Sequence, residues 1–218
     1  MSARGATGYP RVMLLFGSLM ARVRFALFAM LMLGLMGVTA GRAVSVIPPE
    51  FADLVAEATQ IVRVRVTEIS VRWDPSAQGP VIHTYVRAET LKTLKGASQP
   101  TVDVRLLGGQ VGEVSMKVAD MPEFEVGRTY ILFIAGNNRT FCPLVGVMHG
   151  SYPLVLDSTT GMERVARSNL QPLASVDDVA LPLIQSGHPA IRLNGASGLL
   201  ADEFEAAIKK ELSRGGTN

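Results

Sequence analysis

The chain has 218 residues, with 21 Lys and Arg against 19 Asp and Glu. Residues 1–43 hold five arginines and no acid, which leaves 16 basic and 19 acidic residues in 44–218, a body of net charge −3. Ordinary charged and hydrophobic shares (18% and 48%) exclude a disordered chain, and the lone Cys142 excludes an internal disulfide framework or a Cys-rich zinc module.

The N-terminal segment reads as a signal peptide over 1–43. Arg22 and Arg24 precede an apolar run from Phe25 to Val38, followed by small residues that place cleavage after Ala40 or Ala43. Met20 is a second candidate start. The expected address is export, periplasmic or secreted, with membrane contact only through this segment if it is uncleaved. Nothing later approaches the roughly 18 consecutive apolar residues of a membrane helix.

The body opens after Pro48-Pro49. Phe51, Leu54, Val55 and Ala58 fall at helical spacing and predict a short helix over 50–59. The period then changes to two. Val62, Val64 and Val66 alternate with Arg63, Arg65 and Thr67, as in a half-buried strand. The apolar phase slips to the odd positions Ile69, Val71 and Trp73, which predicts a bulge or bend, because one residue of shift swaps the faces.

A loop at 74–80 leads to a second strand. Ile82, Thr84, Val86 and Ala88 occupy one face, and His83, Tyr85, Arg87 and Glu89 the other. Val102, Val104 and Leu106 make a third strand, Gly108-Gly109 a turn, and Val114, Met116 and Val118 a short fourth strand. The run Tyr130–Ile134 is apolar on both faces and predicts the most buried strand. Asn137-Asn138 turns the chain into 141–148, and 152–156 with 162–165 forms a hairpin.

Residues 168–198 read as a loop wrapping the domain or a linker. A final helix over 199–212 carries Leu200, Phe204, Ile208 and Leu212 at four-residue spacing, with Ser197 or Asn194 as cap and charges that complement the helix dipole. The expected fold is mainly β: a small antiparallel OB-like β-barrel over 44–167, with a short N-terminal helix and a C-terminal amphipathic helix docked on the barrel.

Four phrases carry a family resemblance: residues 58–66 (ATQIVRVRV), 84–96 (TYVRAETLKTLKG), 106–109 (LLGG) and 124–133 (FEVGRTYILF). Over roughly 50–155 the chain resembles exported bacterial proteins built like the netrin-type/tissue-inhibitor-of-metalloproteinase module, an OB-like five-stranded barrel. The resemblance implies fold rather than activity. The eukaryotic inhibitors of that group chelate protease zinc through an N-terminal Cys held by disulfides. No such Cys is present here, so inhibition by that route is not implied.

Chemistry-bearing motifs are sparse. His83, His149 and His188 show no metal-ligand spacing, no Gly-x-Ser-x-Gly elbow is present, and Gly108–Gly112 lacks the partners of a phosphate loop. No cofactor, metal or catalytic residue is expected. Asn138-Arg139-Thr140 fits a glycosylation sequon that has no meaning in a bacterial host. The candidate binding surface is the outward face of the first two strands, with Arg63, Arg65, His83, Tyr85 and Arg87 on one side and Trp73 near the bend. Against this stands a solvated face on which the arginines pair with Glu68 and Glu89.

The leading expectation is a non-enzymatic exported module acting through contact with an exported protein partner. A ligand-binding barrel for an oligosaccharide or polyanionic envelope component, using Arg63, Arg65, Tyr85 and Arg87, is the second. A hydrolase with an unrecognised site is the third. A nucleic-acid partner is not expected, because the body is acidic and has no basic stripe.

Overall fold

The computed structural model describes residues 47–136, 141–183 and 198–215. The leader, the Asn137-Asn138 turn, the sequon at Asn138, His188 and the caps Asn194 and Ser197 lie outside the described residues. The fold is mainly β. Its elements are α1 (Phe51–Glu57), β1 (Gln60–Asp74), β2 (Val81–Lys95), β3 (Thr101–Leu107), β4 (Gly109–Val111), β5 (Val114–Met116), β6 (Thr129–Ile134), β7 (Ser151–Leu156), β8 (Glu163–Val165) and α2 (Ala201–Gly215).

Six strands form one sheet in the order β3-β2-β1-β6-β7-β8, and β4 pairs with β5 as a separate small hairpin. All the pairings are antiparallel. The ladders leave β3 and β8 at the ends of the order, so the strand pairing is that of an open sheet. One backbone bond, Leu107 N–H to the Phe141 carbonyl at 2.8 Å, ties the end of β3 to the segment that runs back beside β6.

The central strand β6 is buried at every position. Its even residues Tyr130, Leu132 and Ile134 face an inner core with Val62, Val64, Val66, Val86 and Val104. Its odd residues Ile131 and Phe133 face an outer core with α1, α2, Tyr152 and Leu173. Phe204 of α2 is fully buried there and stacks at 5.1 Å from the Tyr152 ring.

The phase slip in β1 is a bulge. Val66 pairs with Ala88 and Glu68 with Arg87, so Thr67 is the unmatched residue. Beyond it the even residues of β1 face outward. Two further register shifts, at 61–62 and 63–64, bend the long β1–β2 ribbon.

Other expectations are refined. The expected fourth strand is the β4–β5 hairpin, with Val111 opposite Val114. Segment 141–148 forms no regular strand: it bonds to the end of β6 through an isolated bridge, Ile134 with Leu144, and enters a 3₁₀ turn at Val147–Gly150. The start of the 168–198 tail wraps the domain: Leu173 and Val179 are buried, and Ser175 caps a short 3₁₀ turn at Val176–Ala180. The final helix begins at Ala201, and the Glu203 carboxylate accepts from the Leu200 N–H at 2.9 Å.

Glu205 on α2 is 2% exposed. Its carboxylate pairs with Arg63 Nη1 at 3.3 Å and with Lys92 Nζ. Arg63 also pairs with Glu163 of β8. The cluster pins α2 across β1, β2 and β8. Glu205→Ala leaves Arg63 without its buried partner, and the Arg63 Nε already has none. That variant should lose about 2 kcal/mol in urea unfolding, because the largely covered Arg63 loses its buried carboxylate and keeps only the more exposed Glu163. Glu211→Ala, which removes an exposed pair with Arg214 at 3.2 Å, should change stability by less than about 0.5 kcal/mol.

His149 is 5% exposed, in the 3₁₀ turn beneath Val179. Burial, with the nearby Arg167 cation, holds its imidazole below the ordinary histidine range; a hydrogen bond to the Val179 main chain and the Asp120 charge oppose this. The folded state therefore holds the neutral ring while the unfolded chain takes up a proton first. Stability should be flat above about pH 6.5 and fall as pH drops toward 5. In urea midpoints, His149→Gln should flatten that slope.

Candidate functional site

The outward face of the β1–β2–β3 ribbon follows from register. Glu68 lies opposite Arg87, Ser70 opposite Tyr85 and Arg72 opposite His83. Asp103 lies opposite Arg87 and Arg105 opposite Tyr85. Arg65 faces Glu89. The open face thus carries Arg65, Arg72, Arg87 and Arg105 against Glu68, Asp74, Glu89 and Asp103. It is a checkerboard, not a cationic stripe.

Arg87 grips Asp103 with Nε–Oδ1 at 2.9 Å, and that carboxylate raises the guanidinium pKa above its ordinary value, with Glu68 adding a smaller push. At the ribbon's tip, Asp74 accepts from the Tyr85 hydroxyl. Asp74 Oδ1 lies 3.4 Å from Arg72 Nε, and the Arg72 guanidinium stacks 3.9 Å over the Tyr85 ring. His83 Nδ1 lies 2.9 Å from Asp74 Oδ2, off the line of a hydrogen bond. The Tyr85 bond, with His83 and Arg72 behind it, lowers the Asp74 pKa below the usual carboxylate range.

The structure brings His83 and Tyr85 together and keeps Arg65 and Arg87 on the same face. It separates two of the residues predicted to join them. Arg63 is drawn beneath α2 by Glu205 and Glu163. Trp73, 43% exposed, pairs with Ile82 and lies on the opposite face, since alternation past the Thr67 bulge sends odd residues inward. Arg72 and Asp74 were missed. Carrying the phase slip through to the end of β1 would have placed both outward.

A second surface lies where Arg65 meets the start of β6. The Val66 N–H donates to the Arg128 carbonyl at 3.0 Å, and the Gly127 N–H to the Val66 carbonyl at 2.8 Å. These bonds hold the 125–128 turn to β1. The β6–β7 ladder meanwhile stops at Tyr130–Pro153. The turn and the end of β7 therefore part, leaving a groove of about 660 Å³ lined by Arg65, Val126, Arg128, Thr129, Leu156 and Glu163 among others.

Three features of this groove are open to a partner. Val126 and Leu156 are 62% and 64% exposed. The Asp157 N–H and the Pro153 carbonyl bond toward β8, to Met162 and Ala166; by alternation, the Leu156 N–H and carbonyl point the other way, into the groove. Arg65 lines it with no ion pair among the described residues, whereas Arg128 is matched by Glu125 at 2.8 Å. No protein-family model matches the chain, and no curated protein matches it.

The Asp74 cluster should act as a fastening of the hairpin tip. Asp74→Ala and Tyr85→Phe should each cost about 1 kcal/mol in urea unfolding. The double variant should cost less than the sum, because both remove the same bond.

Proposed function

We propose that the chain is an exported, non-enzymatic module that acts by gripping an extended segment of a partner protein in the groove between the 125–128 turn and β7. The observation that carries this reading is the end of β7, paired with β8 on one side but left unpaired on its β6 side, where the Leu156 main-chain groups face a groove flanked by exposed Val126 and Leu156. An added strand would satisfy those groups, and pockets for alternate side chains would set its identity. Arg65 favours a carboxylate at the matching position of the incoming strand. The leader's charged and apolar pattern supports the exported address.

The polyanion reading is not favoured. It needs a surplus of cations on the outward face, and the four arginines there are matched in number by four carboxylates on the same face.

A photoreactive residue placed at Val126 or Leu156, in the cells that make the protein, should yield one discrete adduct with an exported protein. The same residue at exposed Lys209 on α2 should yield none. Arg65→Glu should lower the adduct by about fivefold or more by opposing the incoming carboxylate, with an unchanged melting temperature. Equal labelling at all three positions, or adducts unaffected by Arg65→Glu, would sink the proposal.

A further inference from the structure

The β4–β5 hairpin folds back over the inner face at the end of the ribbon. The Gly108-Gly109 pair permits this. A Cβ on Gly109 would lie 2.6 Å from Val71 Cγ1 and 2.7 Å from Thr84 Oγ1, and its φ of +135° is itself a glycine conformation. Thr84 Oγ1 donates to the Gly108 carbonyl at 2.8 Å, fixing the turn. The chain then runs on from β5 through 117–124 to Phe124, whose ring lies 5.0 Å from Tyr130. Sheet, hairpin and this strap enclose a cleft of about 800 Å³, separate from the β7 groove.

The cleft's chemistry is divided. Ile69, Leu106, Met116, Val118, Met121 and Phe124 supply apolar walls. Except for Leu106, which is buried, these side chains are only partly covered, so the domain leaves their remaining apolar area unsatisfied. The two methionines can reshape to an irregular apolar body. Two ionisable side chains line the same cleft, Lys117 and Glu123. Both are exposed, and neither makes an ion pair with the other or with any described residue.

We propose that this cleft binds a monomeric amphiphile with one apolar chain and a zwitterionic head, the chain against Met116, Val118 and Met121, and the head between Lys117 and Glu123. A purely anionic or cationic head would satisfy one rim charge and oppose the other. The volume is in the range of small-molecule sites, about 300–1,000 Å³. This site does not depend on the β7 groove, and none of its walls lies there.

The test is calorimetric titration of the full chain with N-dodecyl-N,N-dimethylglycine below its micelle concentration, beside dodecyl sulfate and dodecyltrimethylammonium. The zwitterion should bind saturably with one site, and about tenfold more tightly than either ion. Lys117→Glu should shift the preference to the cation, and Glu123→Lys to the anion. Met116→Asp, and separately Val118→Asp, should abolish binding of all three with the melting temperature retained.

Equal affinity for the three heads overturns the zwitterion assignment. Full binding by both aspartate variants, or no saturable binding by the wild type, overturns the site. Retention on phosphatidylethanolamine vesicles that both aspartate variants lose would overturn the monomeric source and assign the chain to a bilayer lipid.

Discussion

A strand that is apolar on both faces must be covered twice, and β6 imposes that demand on everything around it. Its even residues are met by the valines of β1, β2 and β3 on the inner side. Its odd residues need a different cover, since β1 and β7 flank it in the same layer. The two helices and the returning 168–183 segment supply it. The N-terminal and C-terminal ends of the described domain thus meet over one short strand.

The boundary of that helical cover sets the character of the outer face. Along β1 the outward positions read Ile61, Arg63 and Arg65. Ile61 is fully buried beneath the helices. Arg63 lies at the edge, where only a buried carboxylate makes its charge tolerable, and Glu205 provides one. Arg65 is past the edge and open. Three residues of the same alternation therefore serve as core, clamp and surface. The reason lies in how far α2 reaches rather than in the residues themselves.

The two proposed binding regions both arise where backbone pairing is diverted. At the start of β6, hydrogen bonds to Val66 pull the 125–128 turn toward β1 and away from β7. At the end of β3, two glycines at positive φ throw the chain back across the sheet. In each case the diversion leaves apolar side chains half-covered. The β1–β6 ladder has no such opening, because its register runs unbroken from Gln60 opposite Ile134 to Arg65 opposite Thr129.

Much of the architecture was legible in the residues, because period and phase are local properties. The alternation of Val62–Val66 announced β1, the slip to Ile69 announced the Thr67 bulge, and the two-faced run Tyr130–Ile134 announced the central strand. The four-residue spacing of Leu200, Phe204 and Ile208 announced the docked helix. The outward positions of Arg65, His83, Tyr85 and Arg87 followed from the same alternation. Tertiary structure alone decided the rest. It took Arg63 off the open face by setting Glu205, 142 positions away, above it. It carried Trp73 inward and drew Asp74, read only as a turn residue, into the His83–Tyr85 cluster. It opened the groove beside Leu156 and the cleft beneath the β4–β5 hairpin. Such features depend on which strand ends part and how far a helix reaches, and those distances are fixed by packing between segments remote in sequence, which no local pattern encodes.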